Sequence, residues 1–400
     1  MKILAIETSC DETAVSIVEA ENGLMEPHFS VLGTALFSQV QIHAEYGGVF
    51  PSLAKREHAK NLPPLLVSAL TKANMFTANN RAQTVPEDLW QKIERVLERE
   101  DGLFAETRKT FSDIQKPDID MIAVTEGPGL EPALWVGISF AKALSLLWDL
   151  PLRPVNHMEG HIASVLLKTD AVESEKTKVN SQIQFPAVAL LISGGHTELV
   201  EVSGWGKYKI VGQTKDDAVG EAFDKVARML GLPYPGGPQI SKLAEKARKE
   251  NLPKTCVLPR PMINSKDLNF SFSGLKTAVL YYIRDHISGP LSEDQKMDLA
   301  REFEDSVIEV LISKTRRAID NTGARTLIIG GGVIANARLR ETFVGLETEY
   351  GSLEVKVPSK DMATDNAVMI ACVAYINHLV DSDIKKDLSS ISAKGNLRLG

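Results

Sequence analysis

The chain opens with an apolar run, Ile3, Leu4, Ala5 and Ile6, then a turn rich in Thr, Ser and Asp, then the alternating positions Val15, Ile17 and Val18. That order predicts two strands joined as a hairpin. The same grammar returns at 187–204, where the apolar run Val188 to Ile192 meets the turn Ser193-Gly194-Gly195-His196 and continues as an alternating strand from Glu198 to Val202. After helical and loop material, each hairpin is followed by a strand that runs into glycines, "IDMIAVTEGPG" (119–129) in the first half and "ARTLIIGGGVIAN" (324–336) in the second. Each glycine turn then opens an apolar helix, Ala133 to Leu147 and Asn336 to Val344. The pattern is an internal duplication of two α/β halves.

Two such halves predict the two-lobed actin-like, sugar-kinase-like or chaperone-like ATPase fold, with duplicated α/β domains and the polar hairpin tips facing an interlobe cleft. The division expected from the pattern is 1–155 for the amino-terminal lobe and 156–400 for the carboxy-terminal lobe, whose last helix can pack back on the first. Two segments break the rhythm. Asn74 to Lys116 is polar and charged and reads as an insertion with one helix over 86–100, opened by Pro86 and carrying Leu89, Ile93, Val96 and Leu97. The stretch 168–182, rich in charge and in Ser and Thr, reads as a flexible loop.

Composition narrows the class. A 400-residue chain that is 44% hydrophobic and 24% charged is what a globular protein of two sizeable cores shows. No apolar run approaches the roughly 20 residues a membrane span needs. The start "MKILAIETS" leads straight into strand pattern without a secretory or transit leader, so the cytoplasm is expected. Three distant cysteines, Cys10, Cys256 and Cys372, fit neither a disulfide framework nor a zinc ribbon. The net charge of -7 argues against non-specific nucleic-acid binding by the whole surface, leaving local patches such as 55–60, 242–249 and 313–325.

Candidate chemistry starts at "NHMEGH" (156–161), where His157 and His161 stand at i and i+4, neighbours on one face if the segment is helical. A surface or capping pair is the plain alternative. The spacing is not that of zinc peptidases, because Glu159 sits at its centre. Asp365, just before an apolar helix, is a candidate third ligand or a simple cap. Glu221 and Asp224 at i,i+3 present an acidic edge suited to ribose hydroxyls, and Gly236 and Gly237 permit close backbone approach. The turn at Ser193, Gly194 and Gly195 can cradle an anion, and Asn336 after its glycines can read polar edges. "GLKT" (274–277) is no P-loop, since Asn269 stands where its first glycine belongs, and Cys10 has no histidine nearby in sequence to make it a nucleophile.

Taken together, "IETSCDET" (6–13), "HAEYGGVFPSLAKREH" (43–58), "TEGPGLEPALWVGISFAKAL" (125–144), "NHMEGH", "ALLISGGHTEL", "DDAVGEAFDKVARMLGLPYPGGP", "LPRPM" (258–262), "FSFSGLKTAV", "AREFEDSV" (300–307), "GGGVIANARLR" and "TDNAVMIA" resemble the TsaD family, the tRNA N(6)-adenosine threonylcarbamoyltransferases. The resemblance covers most of the chain in the family's order. It implies transfer of a threonylcarbamoyl group from L-threonylcarbamoyladenylate to the adenosine 3' of the anticodon in tRNAs reading A-starting codons.

It implies a metal ion, iron (Fe2+) or else zinc (Zn2+), held by His157, His161 and Asp365, and an adenylate held by Leu191, Ile192, Ser193, Gly194, Gly195, Asp224, Gly237 and Asn336. It also implies two partners, a TsaB-like inactive homologue and a TsaE-like ATPase, with no membrane involved. For the proton of the attacking amine, Asp11 and Glu12 at the first hairpin tip are the candidate bases. The segment from about Asn74 to Lys116 and the tail after about Asp381 depart from the family's pattern, which bears on assembly more than on chemistry. A non-catalytic nucleotide-binding scaffold and a metal-dependent peptidase are the alternatives.

Overall fold

The amino-terminal apolar run forms β1 (Lys2–Glu7), and after the polar turn the chain returns antiparallel as β2 (Glu12–Glu21), pairing Ile6 with Val15. These features come from a computed structural model that describes residues 1–77, 85–112, 114–167, 182–381 and 388–400. The loop expected at 168–182 therefore lies outside the described residues except for Gln182, as do 78–84 and 113 of the expected insertion and 382–387 of the tail.

A third strand, β3 (His28–Ser38), extends the meander, and β4 (Met121–Gly127) and β5 (Leu152–Asn156) add in parallel on the other side of β1, giving the order β3-β2-β1-β4-β5. In the second half β6 (Ala187–Ile192), β7 (Thr197–Gly204) and β8 (Lys207–Gln213) form the same meander, and β9 (Thr326–Gly330) and β10 (Glu354–Lys356) the same parallel pair. Its order, β10-β9-β6-β7-β8, is the first sheet repeated. A duplicated mixed sheet of this topology is the actin-like architecture the hairpin pattern predicts.

The chain folds as two compact units, Met1–Gln182 with Asp365–Leu399, and Ile183–Thr364 with Gly400. The boundary thus differs from the expected division at 155/156. The reason is local: β5 runs without a linker into the helix that carries the two histidines, so no loop marks an end there.

In the first unit α1 (Val40–Ala44) and α2 (Pro51–Lys72) follow β3. Next come α3 (Glu87–Leu97), α4 (Leu103–Phe111), α5 (Glu131–Trp148) and α6 (His157–Ala163). The described helices of the polar segment between Asn74 and Lys116 are not a solvated appendage. Trp90, Ile93, Leu97, Leu103 and Phe111 are buried in the same apolar core as Leu62 and Leu66 of α2 and Phe140 of α5. The second unit carries α7 (Val219–Met229), α8 (Gly236–Lys249), α9 (Ser273–His286), α10 (Glu293–Thr322), α11 (Ala337–Val344), α12 (Leu346–Tyr350) and α13 (Lys360–Ala363).

The last helix, α14 (Ala367–Val380), belongs to the first unit and is buried at every position from Ala367 to Ile376, as a helix apolar all round must be. It crosses α6 at Gly160, where a side chain would already press on Met369 Cγ at 3.0 Å. The tail beyond it is laced onto the β4–α5 glycine turn. Lys394 N–H donates to Glu126 O at 2.8 Å, Gly129 N–H donates to Gly395 O at 3.1 Å, and a Cβ on Gly127 would lie 2.0 Å from Lys394 O. Among the described residues no helix is long and apolar enough to cross a membrane.

Candidate functional site

The segment "NHMEGH" is helical because Asn156, the last residue of β5, caps it: its side-chain oxygen accepts from Met158 N–H at 2.8 Å. One helical turn then stacks His157 and His161, their ring centroids 4.7 Å apart and nearly perpendicular. Asp365 meets both, with Oδ1 3.4 Å from Nε2 of His157 and 3.3 Å from Nε2 of His161. It is not the helix cap. Asn366 takes that role, accepting from Met369 N–H at 3.0 Å, which leaves the Asp365 carboxylate to the histidines.

Ligand atoms of these three residues lie within 4.8 Å of one another. Both ring nitrogens of His161 are buried and make no hydrogen bond, a costly state for a polar group unless something else occupies the position. Two imidazoles and one carboxylate suit a transition metal, and three protein ligands leave coordination positions open for substrate. The residues fit such an ion.

A residue that sequence reasoning missed completes the arrangement. Glu7, fully buried at the end of β1, accepts from His157 Nδ1–H at 3.0 Å and from the Thr125 hydroxyl at 2.6 Å, while its other oxygen accepts from Ser9 N–H at 2.5 Å. A proton fixed on Nδ1 turns the Nε2 lone pair toward Asp365 and any shared cation. Burial opposes charge on Asp365, yet the neighbouring imidazoles outweigh it and hold its carboxyl far below the ordinary range. Burial likewise opposes a proton on His157, but Asp365 and Glu7 outweigh it and raise its pKa. The pocket favours positive charge between its carboxylates.

At the hairpin tip, burial and the nearby Asp11 and Asp365 carboxylates push Glu12 up to about 10. That shift favours the protonated form of Glu12, whose Oε1 also accepts from the Ser38 hydroxyl at 3.4 Å. Burial and Asp11 also push the Cys10 thiol well up, so it is no nucleophile.

In the second unit a cavity of about 660 Å³ is lined by Gly194, Asp224, Gly237 and Asn336, four of the eight residues expected to bind adenylate. Leu191 and Ile192 do not line it, because both are fully buried in β6 and serve to hold the turn in place. Ser193 shapes that turn, its hydroxyl oxygen accepting from His196 N–H at 3.1 Å; neither it nor Gly195 lines the cavity. Glu221 is drawn away into an ion pair with Lys225 at 2.6 Å. Asp224 Oδ1 accepts from Gly236 N–H at 2.7 Å, fastening the "YPGGP" turn, and a Cβ on Gly237 would meet nothing within 4 Å, so its backbone is open to a ligand.

Asn336 lines the cavity with its side chain already bonded to its neighbours. Its Oδ1 accepts from Leu339 N–H at 2.9 Å, capping α11, and its Nδ2 donates to Ser241 Oγ and Glu304 Oε1, each at 2.6 Å. Glu304, 1% exposed, also binds Arg248 at 2.5 Å, and all four side chains line the cavity. Asn336 is one member of a locked polar wall. No spacing in the sequence joins Ser241, Arg248 and Glu304, which come from two different helices.

The TsaD family model, tRNA N6-adenosine threonylcarbamoyltransferase, matches residues 30–79 and 103–372. The internal stretch that it skips, 80–102, contains α3. The tRNA N6-adenosine threonylcarbamoyltransferase of Methylobacillus flagellatus is 42% identical over 371 residues, 93% of this chain and 91% of that one. The protein of the same name from Polynucleobacter asymbioticus is 42% identical over 392 residues, covering 96% and 94%. Among solved structures, (R)-2-hydroxyglutaryl-CoA dehydratase component A of Acidaminococcus fermentans aligns with a TM-score of 0.47 at 13% identity, over 95% of this chain and 100% of that one. HypF of T. kodakarensis aligns with a TM-score of 0.47 at 14% identity, over 71% and 43%. The chain belongs to the TsaD family and is an acyltransferase, a tRNA N6-adenosine threonylcarbamoyltransferase.

Proposed function

We propose that the chain takes the threonylcarbamoyl group from L-threonylcarbamoyladenylate and places it on the N6 amine of the adenosine 3' of the anticodon, releasing AMP. The observation that carries the reading is the triad of His157, His161 and Asp365, with the His161 ring buried and Asp365 Oδ1 facing Nε2 of both imidazoles. These three residues would hold the metal, iron(II) or zinc(II), which when bound supplies a Lewis acid for the carbamoyl carbonyl. Glu7 keeps His157 in the ligating tautomer. Gly194, Asp224, Gly237 and Asn336 hold the adenylate, with Leu191, Ile192, Ser193 and Gly195 shaping the turn.

In the transfer the amine nitrogen forms a bond to the carbamoyl carbon, the bond from that carbon to the phosphate oxygen breaks, and AMP leaves with the electron pair. The amine's proton passes to Asp11, while protonated Glu12 donates a hydrogen bond beside it. A peptidase reading is not favoured, since Glu159 accepts from Asn377 Nδ2 at 3.0 Å and is tied to α14, not poised on a metal-bound water. A TsaB-like homologue and a TsaE-like ATPase are proposed partners, and the cytoplasm the proposed location.

The test is transfer from synthetic adenylate to tRNA, read by mass spectrometry of the nucleosides, in the presence of those partners. Wild type modifies the adenosine and a His157→Ala, His161→Ala variant does not; equal transfer by both would overturn the reading.

A further inference from the structure

The motif "HAEYGGVFPSLAKREH" is left unexplained by the metal and adenylate sites. It encodes the loop between α1 and α2, and at its surface Tyr46 and Phe50 are 63% and 53% exposed. Their rings stack on each other, centroids 6.0 Å apart and planes 22° from parallel. Two large aromatic rings held in the open are unusual, because their burial elsewhere would be favourable.

The loop that displays them is fixed from beneath by one buried histidine. The carbonyl of His43 accepts from Tyr46 N–H at 3.0 Å and from Gly48 N–H at 3.3 Å. Its Nδ1 accepts from Phe50 N–H at 3.3 Å, and its Nε2–H donates to Gln39 Oε1 at 3.1 Å. Gln39 N–H in turn donates to the carbonyl of Asp11 at 2.9 Å. The cross-strand partner of Glu12 is Ser38, the last residue of β3 and the neighbour of Gln39. The aromatic pair is therefore anchored, through His43 and Gln39, on the hairpin tip that carries Asp11 and Glu12.

We propose that Tyr46 and Phe50 form a stacking platform for an unpaired base of the tRNA anticodon loop next to the target adenosine. The inference rests on the transferase reading above. An enzyme that works on the edge of a base in an RNA loop must draw bases out of their stack, and an aromatic face replaces the stacking that is lost. The charges nearby suit a phosphate backbone. Arg56 is exposed and forms no ion pair among the described residues, and Lys60 is 74% exposed with Glu57 3.9 Å from its ammonium; Glu57 and the exposed Glu45 are the opposing charges. A protein partner would call for a wider apolar patch, whereas the exposed neighbours of these two rings in the chain include the polar Ser52 and the charged Glu45 and Arg56.

The experiment measures affinity of the full chain for an anticodon stem-loop, and KM for tRNA in the transfer reaction, for Tyr46→Ala/Phe50→Ala and for Tyr46→Phe/Phe50→Tyr. The alanine variant is expected to bind the stem-loop about five- to a hundredfold more weakly, with an unchanged salt slope and unchanged adenylate binding, and the aromatic variant to restore affinity. Arg56→Ala is expected to lower the salt slope by about one. Wild-type stem-loop affinity in the alanine variant, or a loss seen only as failure to bind a partner protein, would overturn the platform while transfer by wild type continues. Absence of transfer by wild type would instead bring down the reading on which it rests, and the platform with it.

Discussion

Oε2 of Glu7 lies 3.0 Å from Nδ1 of His157, so a carboxylate at the end of the first strand orients an imidazole at the start of a helix 150 residues later. Replacing it by Glu7→Gln keeps the shape and removes the charge. Metal affinity is expected to fall about ten- to a hundredfold, as competition with a chelator would show, with little change in fold. An unchanged affinity would mean that Glu7 only fills the strand end.

Glu304 holds Asn336 and Arg248 together on the cavity wall of the second unit. Glu304→Gln breaks that lock, and adenylate is expected to bind about tenfold more weakly by calorimetry with a non-hydrolysable analogue. Lost stability with retained affinity would make Glu304 structural only.

Burial holds the His58 ring down at about 4, and its bonds fit the neutral form: Nδ1 accepts from the Thr13 hydroxyl at 2.8 Å and Nε2–H donates to Cys10 O at 3.0 Å. The unfolded chain takes up this proton near pH 6.5, the folded one only near 4. Stability from this residue is thus full above pH 6.5 and lost as pH falls toward 4, at up to about 1.4 kcal/mol per pH unit. Denaturant melts of His58→Gln should show a flatter acid limb than wild type; parallel limbs would contradict the assignment.

Trp90 sits in the stretch that the family model skips, yet it is buried in the first unit's core. Trp90→Ala is expected to cost about 3–5 kcal/mol in denaturant unfolding. A loss below about 1 kcal/mol would restore the picture of a loosely attached insertion.

The two hairpins and the glycine turns were legible because strand alternation and glycine punctuation are local signals, and they recur. His157 and His161 were legible from helical spacing, whereas Glu7 was not, since a single acid ending the apolar strand "KILAIE" gives no hint of what it meets. The role of α3 was hidden because Trp90, Ile93 and Leu97 form a narrow stripe among charged positions, and what they pack on lies elsewhere in the chain. The same holds for Glu304, Arg248 and Ser241, which only packing brings to Asn336. The unit boundary was missed because strand passes directly into helix at Asn156, with no glycine or proline between.

The most direct test of the metal-dependent account is elemental analysis of the purified protein, loaded without oxygen, beside the His157→Ala, His161→Ala variant. The account predicts about one iron or zinc per chain in wild type and none in the variant. Equal metal content in the two, or none in either, would contradict it.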